Sequence, residues 1–164
     1  MKQRAQVALD PAGVQDLLAS QTKLQLATIN SDGTPHLVTM FYALREERIV
    51  FWTYRSSQKA RNLARDPRVT CLVEDGAHYF ELRGVQVTGA VEAIEDVDGV
   101  AEVGRLVAGR MPLGPPGSPE LEGTVLDDYV AQAARKRVAY LVRPSRVSSW
   151  DHGKLMAPPP VADP

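Results

Sequence analysis

The chain has 164 residues, 44% of them hydrophobic and 24% charged, with a formal net charge of −1. That length can bury one ordinary core, so one domain is the default, and the balanced charge gives no basis for nonspecific nucleic-acid binding. A small-molecule partner is expected instead. The single cysteine, Cys71 in the run VTCLV, excludes an intrachain disulfide and a CxxC redox or zinc site, and reads as a small buried residue. The opening MKQRAQVALD has charges but no apolar leader core. No stretch approaches the roughly 18 apolar residues of a membrane span. No membrane partner and a cytoplasmic location are therefore expected.

Asp10 followed by Pro11 predicts a helix, an N-cap acceptor before proline at the first helical position, ending near Ser20 with Val14, Leu17 and Leu18 as its apolar face. Leu24, Leu26 and Thr28 alternate with Gln25, Ala27 and Ile29 in strand period. Ser31-Asp32-Gly33 is a hairpin turn signal, and His36 to Leu44 is read as the returning second strand. A charged turn at 45–48 leads to a nearly all-apolar strand, Ile49 to Thr53, of the kind covered on both sides. Ser56 to Asp66 reads as a helix stopped by Pro67, and Val69 to Glu74 as a fourth strand. Phe80 to Ile94 is long for a strand and holds Gly84 and Gly89, where a bend or close approach is expected. Helices are predicted over Val97 to Arg110 and Leu121 to Ala134, separated by PLGPPGSPE. Arg137 to Val142 and Arg146 to Trp150 are predicted as two closing strands. The tail, 157–164, is too proline-rich to pack and is expected to be disordered.

About six to seven strands, mostly in hairpin order, with two or three helices predict a mainly β (α+β) fold, an antiparallel barrel with peripheral helices. The interior of a barrel this small is filled by side chains, so a cofactor must sit on its outer wall. The polar junction RSSQK, 55–59, opens a helix directly after a strand. The unpaired N–H groups and positive dipole end there suit a phosphate, met by Ser56, Ser57, Gln58 and Lys59. Arg55, Arg61, Arg65 and Arg68 cluster nearby, and arginine pairs bidentately with carboxylates, as a glutamate-bearing cofactor tail would require.

The succession LATINSDGTPHLVTM, IVFWTYRSSQKARNL, DPRV and LRGVQVTGAVE resembles the split-barrel flavin and deazaflavin proteins related to pyridoxamine 5′-phosphate oxidase. The resemblance runs from roughly Leu17 to Leu155. It implies an antiparallel split β-barrel, one cofactor-binding domain over 8–156, and a twofold homodimer with cofactor at the interface. It also implies site residues: Ser57, Gln58 and Lys59, with Thr53 at the preceding strand end, holding a cofactor phosphate, and Val38, Thr39 and Met40 lining its ring system. Gln58 stands where the family carries arginine, which removes one cation. Gly84 stands where the flavin oxidases carry a glutamine that contacts the cofactor, which argues against FMN. Trp150, in SWDHGKL, resembles a terminal tryptophan that caps the partner subunit's cofactor. Asp151, His152 and Gly153 replace the Arg-x-His pair of true pyridoxamine phosphate oxidases, so vitamin B6 oxidation is not implied.

His36, His78 and His152 lack metal-ligand spacing, and no metal site is expected. No nucleophile and base stand together, so no catalytic side chain is assigned; in hydride transfer the cofactor carries the chemistry. The function expected is hydride transfer from reduced deazaflavin coenzyme F420 to a small organic substrate. The alternatives are an FMN-dependent oxidase or reductase on the same fold, and a noncatalytic carrier of a flavin, a deazaflavin or haem.

Overall fold

The computed structural model of the protein describes residues 2–117 and 122–156, so the tail at 157–164 lies outside the described residues. Helix α1 (Lys2–Val7) has no counterpart in the sequence pattern. Six residues do not hold a helix alone, and α1 forms where it packs against the turn at His152–Leu155. Two bonds pin the segment after it: Leu9 N–H donates to Ser149 Oγ at 3.1 Å, and Lys154 Nζ donates to Ala8 O at 2.6 Å. Helix α2 (Pro11–Ser20) starts as expected, with Asp10 Oδ1 accepting from Gly13 N–H at 2.7 Å, and buries Leu17 and Leu18.

Strands β1 (Lys23–Ile29), β2 (Pro35–Phe41), β3 (Ala43–Arg45), β4 (Arg48–Tyr54), β5 (Arg68–Asp75), β6 (Arg83–Ile94) and β7 (Arg137–Asp151) form one sheet in the order β2-β1-β5-β6-β7-β4-β3. Every neighbouring pair is antiparallel. The expected single strand over 36–44 is in fact two. At Tyr42 the chain leaves the β1 ladder, its N–H donating to Thr22 O at 3.1 Å, and the buried phenol donates to Leu18 O at 2.6 Å. β2 pairs with β1 while β3 pairs with β4. The two ends of the sheet order are therefore consecutive in the chain, and the sheet curls into a barrel split beside β2, as the fold expectation has it.

Two other strand readings are corrected. The strand expected from Phe80 begins at Arg83, because Tyr79–Glu81 turns as a 3-10 segment. The two closing strands are one, β7, which passes Pro144 by a bulge between Thr88 and Gly89. Ser145 Oγ donates to Thr88 O at 3.0 Å across that bulge, and a Cβ on Gly89 would lie 2.1 Å from Arg143 O. The bulge absorbs the missing proline N–H without ending the pairing.

Helices α3 (Gln58–Arg65), α4 (Val97–Ala108) and α5 (Gly123–Ala134) complete the described elements. α3 begins two residues later than predicted, because Ser57 serves as its cap. β4 is covered on both sides, as its apolar run implies. Phe51 and Ile49 face the barrel interior with Leu24, Leu26, Cys71 and Tyr140. Val50 and Trp52 face outward, under Val103 and Val107 of α4. Gly104 lets α4 come this close, since a Cβ there would stand 2.5 Å from the Trp52 ring.

Candidate functional site

β4 delivers the chain to α3 in three steps. Thr53, the last buried residue of the strand, lies 3.3 Å from Ser57 through their hydroxyl oxygens. Ser57 N–H donates to Tyr54 O at 3.0 Å, which tightens the turn, and Ser57 Oγ then caps the helix by accepting from Ala60 N–H at 3.3 Å. The amides of Gln58 and Lys59 make no hydrogen bond among the described residues, so the start of α3 keeps open donors toward solvent, as an anion site needs.

Asn62 fixes where that helix start points. Its side chain is fully buried, and Nδ2 donates to Thr28 Oγ1 at 3.1 Å and to Asn30 Oδ1 at 3.0 Å. This ties α3 to β1 and to the turn before β2. Gln58 Nε2 donates to Asn62 Oδ1 at 2.9 Å, while Gln58 Oε1 accepts from Arg61 at 2.8 Å. The Gln58 side chain is thus spent on positioning, and its backbone faces the open end.

The arginines each have a protein partner. Arg61 donates to Ser56 O, Arg65 to Ile29 O, and Arg68 pairs with Asp66. Arg55 donates to Glu95 O at 2.7 Å and lies 3.6 Å from the Glu95 carboxylate. Exposed pairs of this kind contribute little, so Arg55 can exchange Glu95 for another carboxylate. Lys59 differs: it is half-buried and forms no ion pair among the described residues. Burial, and then the charge of Arg137, hold its pKa below the usual lysine value.

β2 lies across the split. Val38 and Met40 turn inward against the core, and Thr39 turns outward, where its hydroxyl donates to Gln25 Oε1 at 2.9 Å. As the terminal strand of the sheet, β2 leaves one backbone edge unpaired by any strand among the described residues. A hollow of about 180 Å³ opens between this strand and β4, lined by Thr39, Met40, Phe41, Trp52, Met111 and Arg137. Thr39 and Met40, expected to meet a ring, line this hollow; the residues expected to meet a phosphate do not, and follow Trp52 along the chain at the end of β4 and the start of α3. A wider groove of about 730 Å³ between α2 and β7 holds none of them, and its carboxylates Asp16 and Glu47 do not suit an anion.

Trp150 is not part of the hollow beside β2. It sits near the far end of β7 from Arg137, roughly 40 Å along the strand, opposite Gly84 on β6. Its indole fills the place of a side chain at 84: a Cβ there would lie 2.1 Å from Trp150 Cζ2. A glutamine at 84 thus requires the Trp150 indole to move. Sequence reasoning missed Asn62 and Arg137, which carry no motif; the one signal that could find Asn62 is a polar residue that shares the buried face of α3 with Ala60 and Leu63.

The family described as pyridoxamine 5′-phosphate oxidase matches residues 11–151. No curated protein matches the chain. Among solved structures, a conserved hypothetical protein from Mycobacterium tuberculosis is 39% identical, over 96% of this chain and 94% of that one, with a TM-score of 0.83. An F420 reductase is 28% identical, over 85% of this chain and 98% of that one, with a TM-score of 0.61. A haem storage protein from Vibrio cholerae, 14% identical over 87% of this chain and 97% of that one, shares the fold with a TM-score of 0.65.

Proposed function

The chain belongs to the split-barrel flavin and deazaflavin family related to pyridoxamine 5′-phosphate oxidase, and from that premise we propose that it is an F420-dependent oxidoreductase acting on a small organic substrate. The observation that carries this reading is an open, cation-bearing helix start at Ser57 to Lys59 directly after β4, the strand whose Trp52 shares a hollow with β2, the terminal strand of the sheet. The 28% identity to an F420 reductase favours the deazaflavin over FMN. An FMN-dependent oxidase or reductase on the same fold stands as the second reading.

Reduced F420 supplies a hydride when bound. The roles of the chain's own residues are to bind, orient and exclude water. Thr53, Ser57, the Gln58 amide and Lys59 hold the phosphate. The backbone of Val38, Thr39 and Met40 meets the ring edge, and Arg55 exchanges Glu95 for a carboxylate of the cofactor tail. Residues 8–156 act as one domain in a homodimer, in which Trp150 of one protomer covers the cofactor held by the other.

Titration of the purified protein with F420 and with FMN tests the choice. F420 is expected to bind about tenfold more tightly, a difference of about 1.4 kcal/mol. Equal or reversed affinities favour the FMN reading. Lys59→Ala is expected to weaken binding by about tenfold to a hundredfold, the worth of one charge-assisted hydrogen bond, at a nearly constant melting temperature of the apo protein. Unchanged affinity for both cofactors removes the phosphate site from this junction. If reduced cofactor binds tightly but is oxidised no faster with any acceptor tried, a carrier role replaces catalysis.

A further inference from the structure

Arg137 opens β7 directly opposite Tyr54. Its guanidinium carbon lies 4.2 Å from the centroid of the Tyr54 ring and 4.5 Å from that of Trp52. Aromatic rings that hold a guanidinium by its face leave its N–H groups free to point outward in its own plane. One of them, Nε–H, is buried and finds no acceptor among the described residues. A buried donor without an acceptor is disfavoured and uncommon in folded proteins, and an acceptor arriving from outside relieves it. The side chain borders the hollow beside β2.

Tyr54, the residue paired with Arg137, accepts from Ser57 N–H at 3.0 Å and so holds the start of α3 and Lys59 on the same side of the sheet end, where the charge of Arg137 helps keep the lysine pKa down. Gln58, between the cap and Lys59, is neutral and its side chain is already bonded to Asn62 and Arg61. Arg137 at the hollow and Lys59 at the start of α3 thus stand at the two ends of the short junction that follows β4, neither in an ion pair among the described residues, next to two open helix amides. A single multivalent anion satisfies all of these groups at once.

We propose that Arg137 is the second cation of the phosphate site, gripping two oxygens of the group bidentately while Lys59 and the α3 amides take the others. The inference rests on the cofactor reading above. The chemistry recognised is a phosphate on a ribityl chain, a monoester in FMN and a diester in F420.

The test compares each cofactor with its phosphate-free core, F420 against 8-hydroxy-5-deazariboflavin and FMN against riboflavin. Affinities are measured by fluorescence for the wild type, Arg137→Met and Arg137→Lys, with melting temperatures recorded alongside. Arg137→Met is expected to weaken the phosphate-bearing member by about tenfold or more and to leave the phosphate-free member within about twofold. Arg137→Lys, which keeps the charge and guards against a folding defect, is expected to fall between. Equal losses within a pair, or none, overturn the proposal. Inorganic phosphate, followed by NMR at the arginine Nε–H signals, gives an arm independent of any cofactor. One signal, absent in Arg137→Met, is expected to move. If it moves while the wild type binds none of the four compounds, the cofactor reading fails and the phosphate clamp stands. If it stays still while the wild type binds cofactor normally, the clamp fails and the cofactor reading stands.

Discussion

Lys59 is held below its ordinary pKa of 10.5 first by burial and then by the positive charge of Arg137. A lysine depressed in the folded state binds fewer protons there than in the unfolded chain, so the apo protein gains stability as pH rises from neutral towards 10.5. Phosphate affinity runs the other way, because the neutral amine formed on the same rise no longer attracts the anion. Melting temperature and cofactor affinity measured across that range are expected to diverge, with Lys59→Arg losing the alkaline fall in affinity since arginine stays charged. Parallel trends would contradict the assignment. At this scale the sequence discloses residues whose role is local. Asp10 and Ser57 cap the helices that follow them, and Lys59 sits within a turn of its own cap. Asn62 and Arg137 are illegible because their partners are 32 to 34 residues away in the first case, and on a strand distant in sequence in the second.

At the scale of elements, strand identity follows alternation well and strand limits follow it poorly. Nothing in MFYAL shows that pairing changes hands at Tyr42, because the alternation continues through a residue whose phenol is recruited by the end of α2. The proline at 144 looks like a strand end and is instead passed by a bulge. The turn joining β3 to β4 offers a further prediction. Glu46 and Glu47 both adopt positive φ, 50° and 63°, the geometry of a tight hairpin that favours asparagine and glycine. The pair Glu46→Asn and Glu47→Gly is expected to stabilise the protein by about 1 kcal/mol, raising the melting temperature by about 2–4 °C. The exposed Glu46–Arg48 pair lost in the exchange contributes little. An unchanged or lower melting temperature would show that the glutamates are held there by other contacts.

For the whole molecule, a wall site open to solvent on one protomer is the physical reason to expect a second one. Sedimentation at micromolar concentration is expected to give about twice the 17.9 kDa chain mass; a monomer at every concentration would leave the proposed site uncovered. The fold as a whole was legible because period-2 alternation and turn residues recur along the chain, whereas the closure of the sheet depends on which edges meet, and that is decided by side chains far apart in sequence.

The two ends of β7 have a genetic consequence. Arg137, paired with Tyr54 just before the α3 junction, and Trp150 lie too far apart on one strand to serve one pocket within a protomer. In the proposed dimer, a chain defective at Lys59 and a chain defective at Trp150 would each be inactive alone, yet a mixed pair collects both defects in one pocket and leaves the other whole. Unfolding and refolding Lys59→Ala together with Trp150→Leu in equal amounts would then restore about a quarter of the wild-type sites. Two nonfunctional alleles expressed in one cell would complement each other.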